Sequence, residues 1–174
     1  MNVADAFSGD NLSRRTVIWV IPILLAIHNA EEAVAFTRMQ RHLVLPEPFA
    51  TLESRLSYPV LLQALATLSI VGFMLAAFVA LRPQARGALW LLLALEAAVA
   101  INAVAHIASA VVIFHGYAPG LLTAVLLNAP FAVYALGRAK REVWVSARAW
   151  VTLWAGGAIL HGPILIGALW VATR

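Results

Sequence analysis

The sequence predicts an all-α fold, a polytopic membrane helical bundle with five transmembrane helices and its N-terminus inside. Of the 174 residues, 63% are hydrophobic and only 11% are charged, whereas soluble domains carry about 45–50% apolar and about 25% charged residues. Apolar runs of about twenty residues also recur along the chain, the length that a helix needs to cross a hydrocarbon core of roughly 30 Å. We therefore expect an integral membrane protein in which residues 1–174 form a single membrane domain.

The apolar runs divide the chain into five predicted spans. The first span follows a pair of arginines, and the second follows the one sizeable loop, whose prolines end a helix. Basic residues are dispersed at the ends of the runs, and tryptophans lie near several span ends, which is the pattern of membrane flanks. The predicted spans are about 16–37, 58–81, 87–114, 119–136 and 149–172.

The basic residues indicate orientation and not a nucleic-acid partner, because they lie at span ends and form no patch. With the N-terminus inside, eight Lys and Arg side chains lie on the inner side and four on the outer side. We expect an integral protein of the bacterial inner (plasma) membrane. The inner set is Arg14, Arg15, Arg82, Arg86, Arg138, Lys140, Arg141 and Arg148, and the outer set is Arg38, Arg41, Arg55 and Arg174.

The first span has a competing interpretation as a cleaved twin-arginine signal. Arg14-Arg15 precedes an apolar stretch that ends in the small-residue site Ala33-Val34-Ala35, as in such signals. Two glutamates just before the cut would be unusual there, so we expect the span to be retained.

Polar side chains inside the spans are few, and their spacing groups them. A charged group near the bilayer centre costs at least about 2.5–3.5 kcal/mol, so such groups usually contact a cavity or a partner. On the first span, His28, Glu31 and Glu32 stand at i, i+3 and i+4 and share one helix face. On the third span, Asn102 and His106 stand at i and i+4. Each span therefore offers one polar stripe.

The depth of these residues predicts that the stripes meet. Counted from the predicted outer span ends, His28, His106, His161 and Asn128 lie about eight to eleven residues deep, which places them within about 5 Å of one another along the membrane normal. Three prolines lie within about two turns of this layer, where we expect kinks that open space between helices. These prolines are Pro22, Pro130 and Pro163.

The chemistry of the layer indicates a divalent metal ion, with zinc or iron expected. Imidazole and carboxylate are the ligands of such ions when thiolates are absent, and the chain has no cysteine. The second glutamate can bridge a second ion or act as the catalytic base, a role that we assign to Glu32. Taken singly, each polar residue is also explained by helix packing. The expected metal ligands are His28, Glu31, Glu32, His106 and His161, with Asn102, Ser109, Thr123 and Asn128 behind them or facing the substrate.

The same residues carry a family resemblance. His28-Asn29-Ala30-Glu31-Glu32 (HNAEE) fits His-x-x-Glu-Glu and resembles the motif of the HXXEE family of small integral membrane proteins. The stretches NAVAHIAS, which contains Asn102, His106 and Ser109, and PGLLTA, which contains Thr123, look like further motifs of that family. The resemblance covers most of the chain, from the first to the fourth helix. It implies an architecture and a site but no reaction.

Several functions are compatible with a buried His/Glu site. The leading hypothesis is a metal-dependent enzyme, a hydrolase, isomerase or oxidoreductase, that acts on a lipid or other apolar small molecule. A metal-free hypothesis is an isomerase in which Glu32 and His106 relay protons, by architectural analogy with small five-span sterol isomerases. A cation or proton transporter and a non-catalytic membrane accessory protein are two further hypotheses. The expected partners are membrane lipids, the apolar substrate and further copies of the chain in an oligomer.

Overall fold

The computed structural model describes residues 12–39 and 57–172, and over these ranges the regular structure is helical. Five helices are long and apolar enough to cross a membrane, which confirms the predicted fold class. The helices are α1 (Arg14–Met39), α2 (Tyr58–Leu81), α3 (Arg86–Val112), α4 (Leu121–Arg141) and α5, which begins at Ala147. Two of them change winding: α4 runs through Leu121–Thr123, Ala124–Asn128 and Ala129–Arg141, and α5 through Ala147–Ile159, Leu160–Ile164 and Leu165–Ala172, the middle piece of each being π-helical.

The helix ends agree with the predicted spans to within two residues, with one exception. Helix α4 continues to Arg141, five residues beyond the predicted end at 136. Its last turn carries Arg138, Lys140 and Arg141. These residues end the apolar run, but their positive charges stabilise the negative C-terminal end of a helix. The inside–outside orientation stays a prediction, and three residues on which it partly depends, Arg41, Arg55 and Arg174, lie outside the described ranges.

Helix α3 is the centre of the bundle, because it contacts each of the other four helices. Its residues 92–99 are all buried, and α1 packs along α2 beside it. Helix α5 approaches α3 closely at Gly157, where a Cβ atom would lie 2.9 Å from both the Cβ of Ala97 and the backbone nitrogen of Ala98. Small residues at such crossings let membrane helices pack tightly.

Polar side chains also join neighbouring helices. Asn29 on α1 donates from Nδ2 to the carbonyl of Leu65 at 3.0 Å and to the hydroxyl of Ser69 at 2.9 Å, both on α2. On the other side of the bundle, Nε1 of Trp90 donates to the carbonyl of Ala149 at 3.1 Å, which joins α3 to α5. These bonds set the rotation of α1 and α5 against their neighbours.

The two π-helical segments coincide with prolines. Ala124–Asn128 ends two residues before Pro130, and Leu160–Ile164 contains Pro163. Proline lacks an N–H group and its ring clashes with the preceding turn, so a wider turn accommodates it. Single π-helical turns inside α-helices are frequent at functional sites. Pro22 lies inside α1 without such a change of winding.

Candidate functional site

A histidine–glutamate group lies between α1 and α3. His28 and Glu32 come from successive turns of α1, and His106 comes from α3. The Oε1 atom of Glu32 is 3.1 Å from Nε2 of His106 and 3.9 Å from Nε2 of His28. The two imidazole rings meet edge to face, with centroids 4.9 Å apart. One ligand atom from each of the three residues lies within 4.8 Å of the others, so helical spacing and matching depth do bring these side chains together.

Two distances within the group are close to those of a metal-ligand set. Two ligands that bind one tetrahedral ion at about 2.1 Å are about 3.4 Å apart, and the two measured distances to Glu32, 3.1 and 3.9 Å, bracket that value. Two imidazoles with one carboxylate hold zinc in hydrolases and iron in oxygenases. The His28, Glu32 and His106 group could therefore hold one metal ion. His28 is buried, but the Glu32 side chain is 23% exposed, which leaves the group accessible from one side.

Hydrogen bonds with two further residues orient the imidazoles. Nδ2 of Asn102 lies 2.8 Å from Nε2 of His28 and 3.0 Å from Nε2 of His106. On the other side of the His28 ring, Nδ1 lies 2.8 Å from the hydroxyl oxygen of Thr123, which donates to the carbonyl of Gly120 at 3.3 Å. When the Asn102 amide donates to both Nε2 atoms, His28 carries its proton on Nδ1, and this N–H donates a hydrogen bond to the hydroxyl oxygen of Thr123. Such partners set the tautomer and angle of a ligand histidine.

Glu31 contacts the start of α4 and not the two histidines. Its Oε2 accepts a hydrogen bond from the backbone N–H of Thr123 at 2.7 Å, and its Oε1 accepts from the N–H of Leu122 at 3.1 Å and the hydroxyl of Tyr117 at 2.5 Å. The first N–H groups of a helix have no partner within the helix, and a carboxylate there also interacts favourably with the helix dipole. Glu31 therefore ties α1 to α4 and fixes the residue that orients His28.

The backbone of the α3–α4 connection lies directly against the group at Gly120. This residue has φ +78°, and a Cβ atom on it would lie 2.8 Å from Cε1 of His28, 2.9 Å from Cγ of Glu32 and 2.9 Å from Cε1 of His106. Glycine adopts a positive φ without strain. Because it has no side chain, it also avoids a collision with the two rings and Glu32. The Pro119-Gly120 turn thus closes one side of the group.

The remaining predicted site residues lie further away. His161 is on the π-helical part of α5, which packs against α3, and it interacts electrostatically with His106 and Glu32, but its ring is not in the group of three. Asn128 is buried, and its amide has no hydrogen-bond partner among the described residues. The hydroxyl of Ser109 donates to the carbonyl of His106 in its own helix at 3.0 Å. Metal ligation by Glu31 and His161 stays a prediction.

Tyr117 is a site residue that the spacing of polar side chains does not indicate, because it lies in the connection between two spans. The pair of adjacent glutamates does indicate that hydrogen-bond donors such as Tyr117 are needed. Two adjacent carboxylates on a helix lie about 100° apart around the axis, so one of them needs donors away from the histidines. The free N–H groups at the start of α4 and a nearby hydroxyl are such donors.

The comparison with protein families covers this region of the chain. The model of the family described as "Protein of unknown function with HXXEE motif" matches residues 19–135. No curated protein and no solved structure matches the chain. The matched range includes His28, Glu31, Glu32, Asn102, His106, Gly120 and Thr123 and ends before α5. Since it covers more than half of the chain, the protein belongs to the HXXEE family.

Proposed function

We propose that this protein is a metal-dependent membrane enzyme that acts on a lipid or other apolar substrate at the His28, Glu32 and His106 group. The observation that carries the proposal is the convergence of three electron-pair donors from two helices within 4.8 Å. With the Asn102 amide donating to both imidazoles, Nε2 of His106 and Oε1 of Glu32 are two acceptors 3.1 Å apart. A cation or a proton is needed to relieve their repulsion.

The donor set supports catalysis as well as binding. Three protein ligands leave coordination positions open on the ion, which is the arrangement of catalytic and not of structural zinc sites. The three side chains would hold an ion that supplies Lewis acidity toward water or a substrate oxygen or, if it is iron, oxygen chemistry. Glu32 has a second oxygen atom, which can take up a proton beside the ion. The metal would replace the hydrogen bonds that Asn102 makes to the two Nε2 atoms.

The surroundings of the group favour an apolar substrate. The group lies on helices that are long and apolar enough to span a membrane, and the face of α3 directed away from His106 exposes Val104, Ile107 and Val111. In a membrane these side chains would contact lipid tails, because nothing else in the described ranges covers them. The group is therefore surrounded by helices that face lipid, and a molecule dissolved in the bilayer would approach it beside Glu32, whose side chain is 23% exposed.

Metal analysis of the protein purified in mild detergent tests the proposal. We expect close to one zinc or iron ion per chain, as for a three-ligand site, and loss of the ion in His28→Ala and His106→Ala. His115→Asn is the matched control, since His115 is exposed in the α3–α4 connection. Fewer than about 0.3 ions per chain in the wild type, with no further loss in the variants, would contradict the metal site. His161→Ala decides whether that residue is a ligand.

A metal-free proton relay is the second candidate, and one observation favours it. Hydrogen-bond distances connect Glu32, His106, Asn102, His28 and Thr123 without a break. If the Asn102 amide is rotated by 180°, its oxygen accepts a hydrogen bond from each Nε2–H, and the single Nε2–H of His106 is then shared between Asn102 and Glu32. An isomerase of this kind retains its activity after treatment with a chelator and loses it in Glu32→Gln. The transporter and accessory roles have no comparable observation in the described ranges.

A further inference from the structure

We propose that the end of the bundle opposite Gly120 holds a second binding site, for the phosphate-bearing headgroup of an anionic lipid. A cavity of about 740 Å³ lies between the start of α1, the α2–α3 turn and the α4–α5 turn. Ligand sites commonly have volumes of about 300–1,000 Å³. We call this cavity the basal pocket, and the residues of its lining that define it here are Arg14, Arg86, Trp90, Glu142 and Trp144.

The charge of the basal pocket is positive. Arg14 and Arg86 line it, and neither forms an ion pair with any described residue. The acidic residue of the lining, Glu142, is already engaged: Oε1 accepts from Nε of Arg138 at 2.6 Å, and Oε2 accepts from Nε1 of Trp144 at 2.9 Å. The hydrogen bond from Arg138 lowers the pKa of Glu142, so this carboxylate stays ionised and offset by Arg138. Two guanidinium charges therefore face the pocket without a counter-ion in the described ranges.

Arg14 carries an unsatisfied donor in this pocket. Its Nε atom is buried and has no hydrogen-bond partner among the described residues. Its guanidinium is held by the ring of Trp144, with Cζ 5.0 Å from the ring centroid, in the manner of a cation–π contact. A buried donor without a partner costs about 1–3 kcal/mol. Guanidinium binds phosphate with paired, charge-assisted hydrogen bonds, and a phosphate oxygen is an acceptor of the kind that this Nε lacks.

The position and the walls of the pocket favour a lipid over a soluble phosphate compound. The pocket lies at the ends of helices that are apolar enough to span a membrane. Trp90 and Trp144 form part of its walls, and indole rings prefer the boundary between headgroups and hydrocarbon. Helices α3 and α5 begin beside it, at Arg86 and Ala147, and helix starts attract anions. Basic pockets between membrane helices are known binding sites for anionic lipid headgroups.

Lipid titration followed by native mass spectrometry tests this site in the full-length protein. The probes are a short-chain phosphatidylglycerol, the phosphatidylcholine with the same acyl chains, and glycerol 3-phosphate as the soluble compound. We expect phosphatidylglycerol to bind at least about tenfold more tightly than phosphatidylcholine, given two unpaired arginines. The double variant Arg14→Gln/Arg86→Gln should bring the two lipids to within about twofold of each other. Arg148→Gln, an exposed arginine outside the pocket lining, should keep the wild-type preference.

Three results would overturn the proposal. The first is equal binding of the two lipids by the wild type, and the second is a double variant that behaves like Arg148→Gln. The third is glycerol 3-phosphate binding as tightly as phosphatidylglycerol, which would assign the pocket to a soluble phosphate compound. The single variant Arg86→Gln serves as a second test in case the double variant misfolds, because Arg86 is exposed. Its preference for phosphatidylglycerol over phosphatidylcholine should fall about threefold. Far-UV circular dichroism of each variant reports its helix content.

Discussion

Glu31 and Glu32 are adjacent in the sequence, but their carboxylates bind different helices. Oε1 of Glu32 lies 3.1 Å from the imidazole of His106 on α3, whereas Glu31 accepts hydrogen bonds from the first turn of α4 and from Tyr117. The separation follows from the helix, because consecutive side chains point about 100° apart. One glutamate is thus a candidate ligand, and the other holds the helix that orients His28.

This division predicts that two matched substitutions affect different properties, one the stability and the other the metal binding. Glu31→Gln should lower the stability of the protein by about 1–3 kcal/mol, because charge-assisted bonds to the α4 start are lost. Glu32→Gln should abolish metal binding and, with both proteins compared free of metal, leave stability within about 0.5 kcal/mol. Thermal unfolding in detergent and metal content per chain measure the two effects. If Glu31→Gln loses the ion as completely as Glu32→Gln while its unfolding is unchanged, Glu31 is a ligand and the division is wrong.

Gly120 should tolerate no side chain. In Gly120→Ala the new methyl group would lie 2.8–2.9 Å from atoms of His28, Glu32 and His106, at a φ of +78°. We expect a loss of about 1–3 kcal/mol from the backbone conformation, together with at least tenfold weaker metal binding as the rings are displaced. Competition with a chelator measures the affinity.

Gly167→Ala is the control for that substitution. A Cβ atom at Gly167 would meet no atom within 4 Å, and alanine is the better helix former. Its melting temperature should equal or exceed that of the wild type. Wild-type metal affinity in Gly120→Ala would show that the α3–α4 connection does not confine the group.

The hydroxyl of Thr123 should matter through the tautomer of His28. Thr123→Val keeps the shape of the side chain but removes the partner of Nδ1, which lies 2.8 Å away. Loss of a partner of this kind lowers metal affinity by about 10–100-fold. Thr152→Val is the matched control, because the Thr152 hydroxyl is exposed and donates to a carbonyl of its own helix at 3.1 Å. Equal metal affinities of the two variants would show that the Thr123 hydroxyl does not support the metal group.

The part of the site that helical periodicity determines could be predicted from the sequence, and the rest could not. His28, Glu32 and His106 meet because i, i+4 spacing and equal depth follow from the geometry of straight helices. The partner of Glu31 depends on the path of the α3–α4 connection, which no periodic pattern describes. The direction of His161 depends on the rotation of α5 and on its π-helical turn at Leu160–Ile164. The spans could be predicted from the length of the apolar runs alone. The exception is the basic end of α4, which continues the helix beyond its apolar run.

Glu96 is a buried carboxyl group that the proposed chemistry does not use. Its side chain is 1% exposed, it lies in a fully buried stretch of α3, and Oε1 has no hydrogen-bond partner among the described residues. Burial of an unsatisfied polar group costs about 1–3 kcal/mol, and replacement by an apolar residue of similar volume removes that cost. Glu96→Leu should therefore raise the melting temperature while metal content stays unchanged.

The matched variant for this prediction is Glu96→Gln, which keeps the size and the hydrogen-bonding demand of the side chain. We expect its melting temperature to remain close to that of the wild type, so that the gain in Glu96→Leu can be attributed to removal of the polar group. A Glu96→Leu protein less stable than Glu96→Gln would mean that the carboxyl group has a stabilising hydrogen-bond partner inside the folded protein. Loss of the ion in both variants would instead connect Glu96, ten residues before His106 on α3, to the metal group.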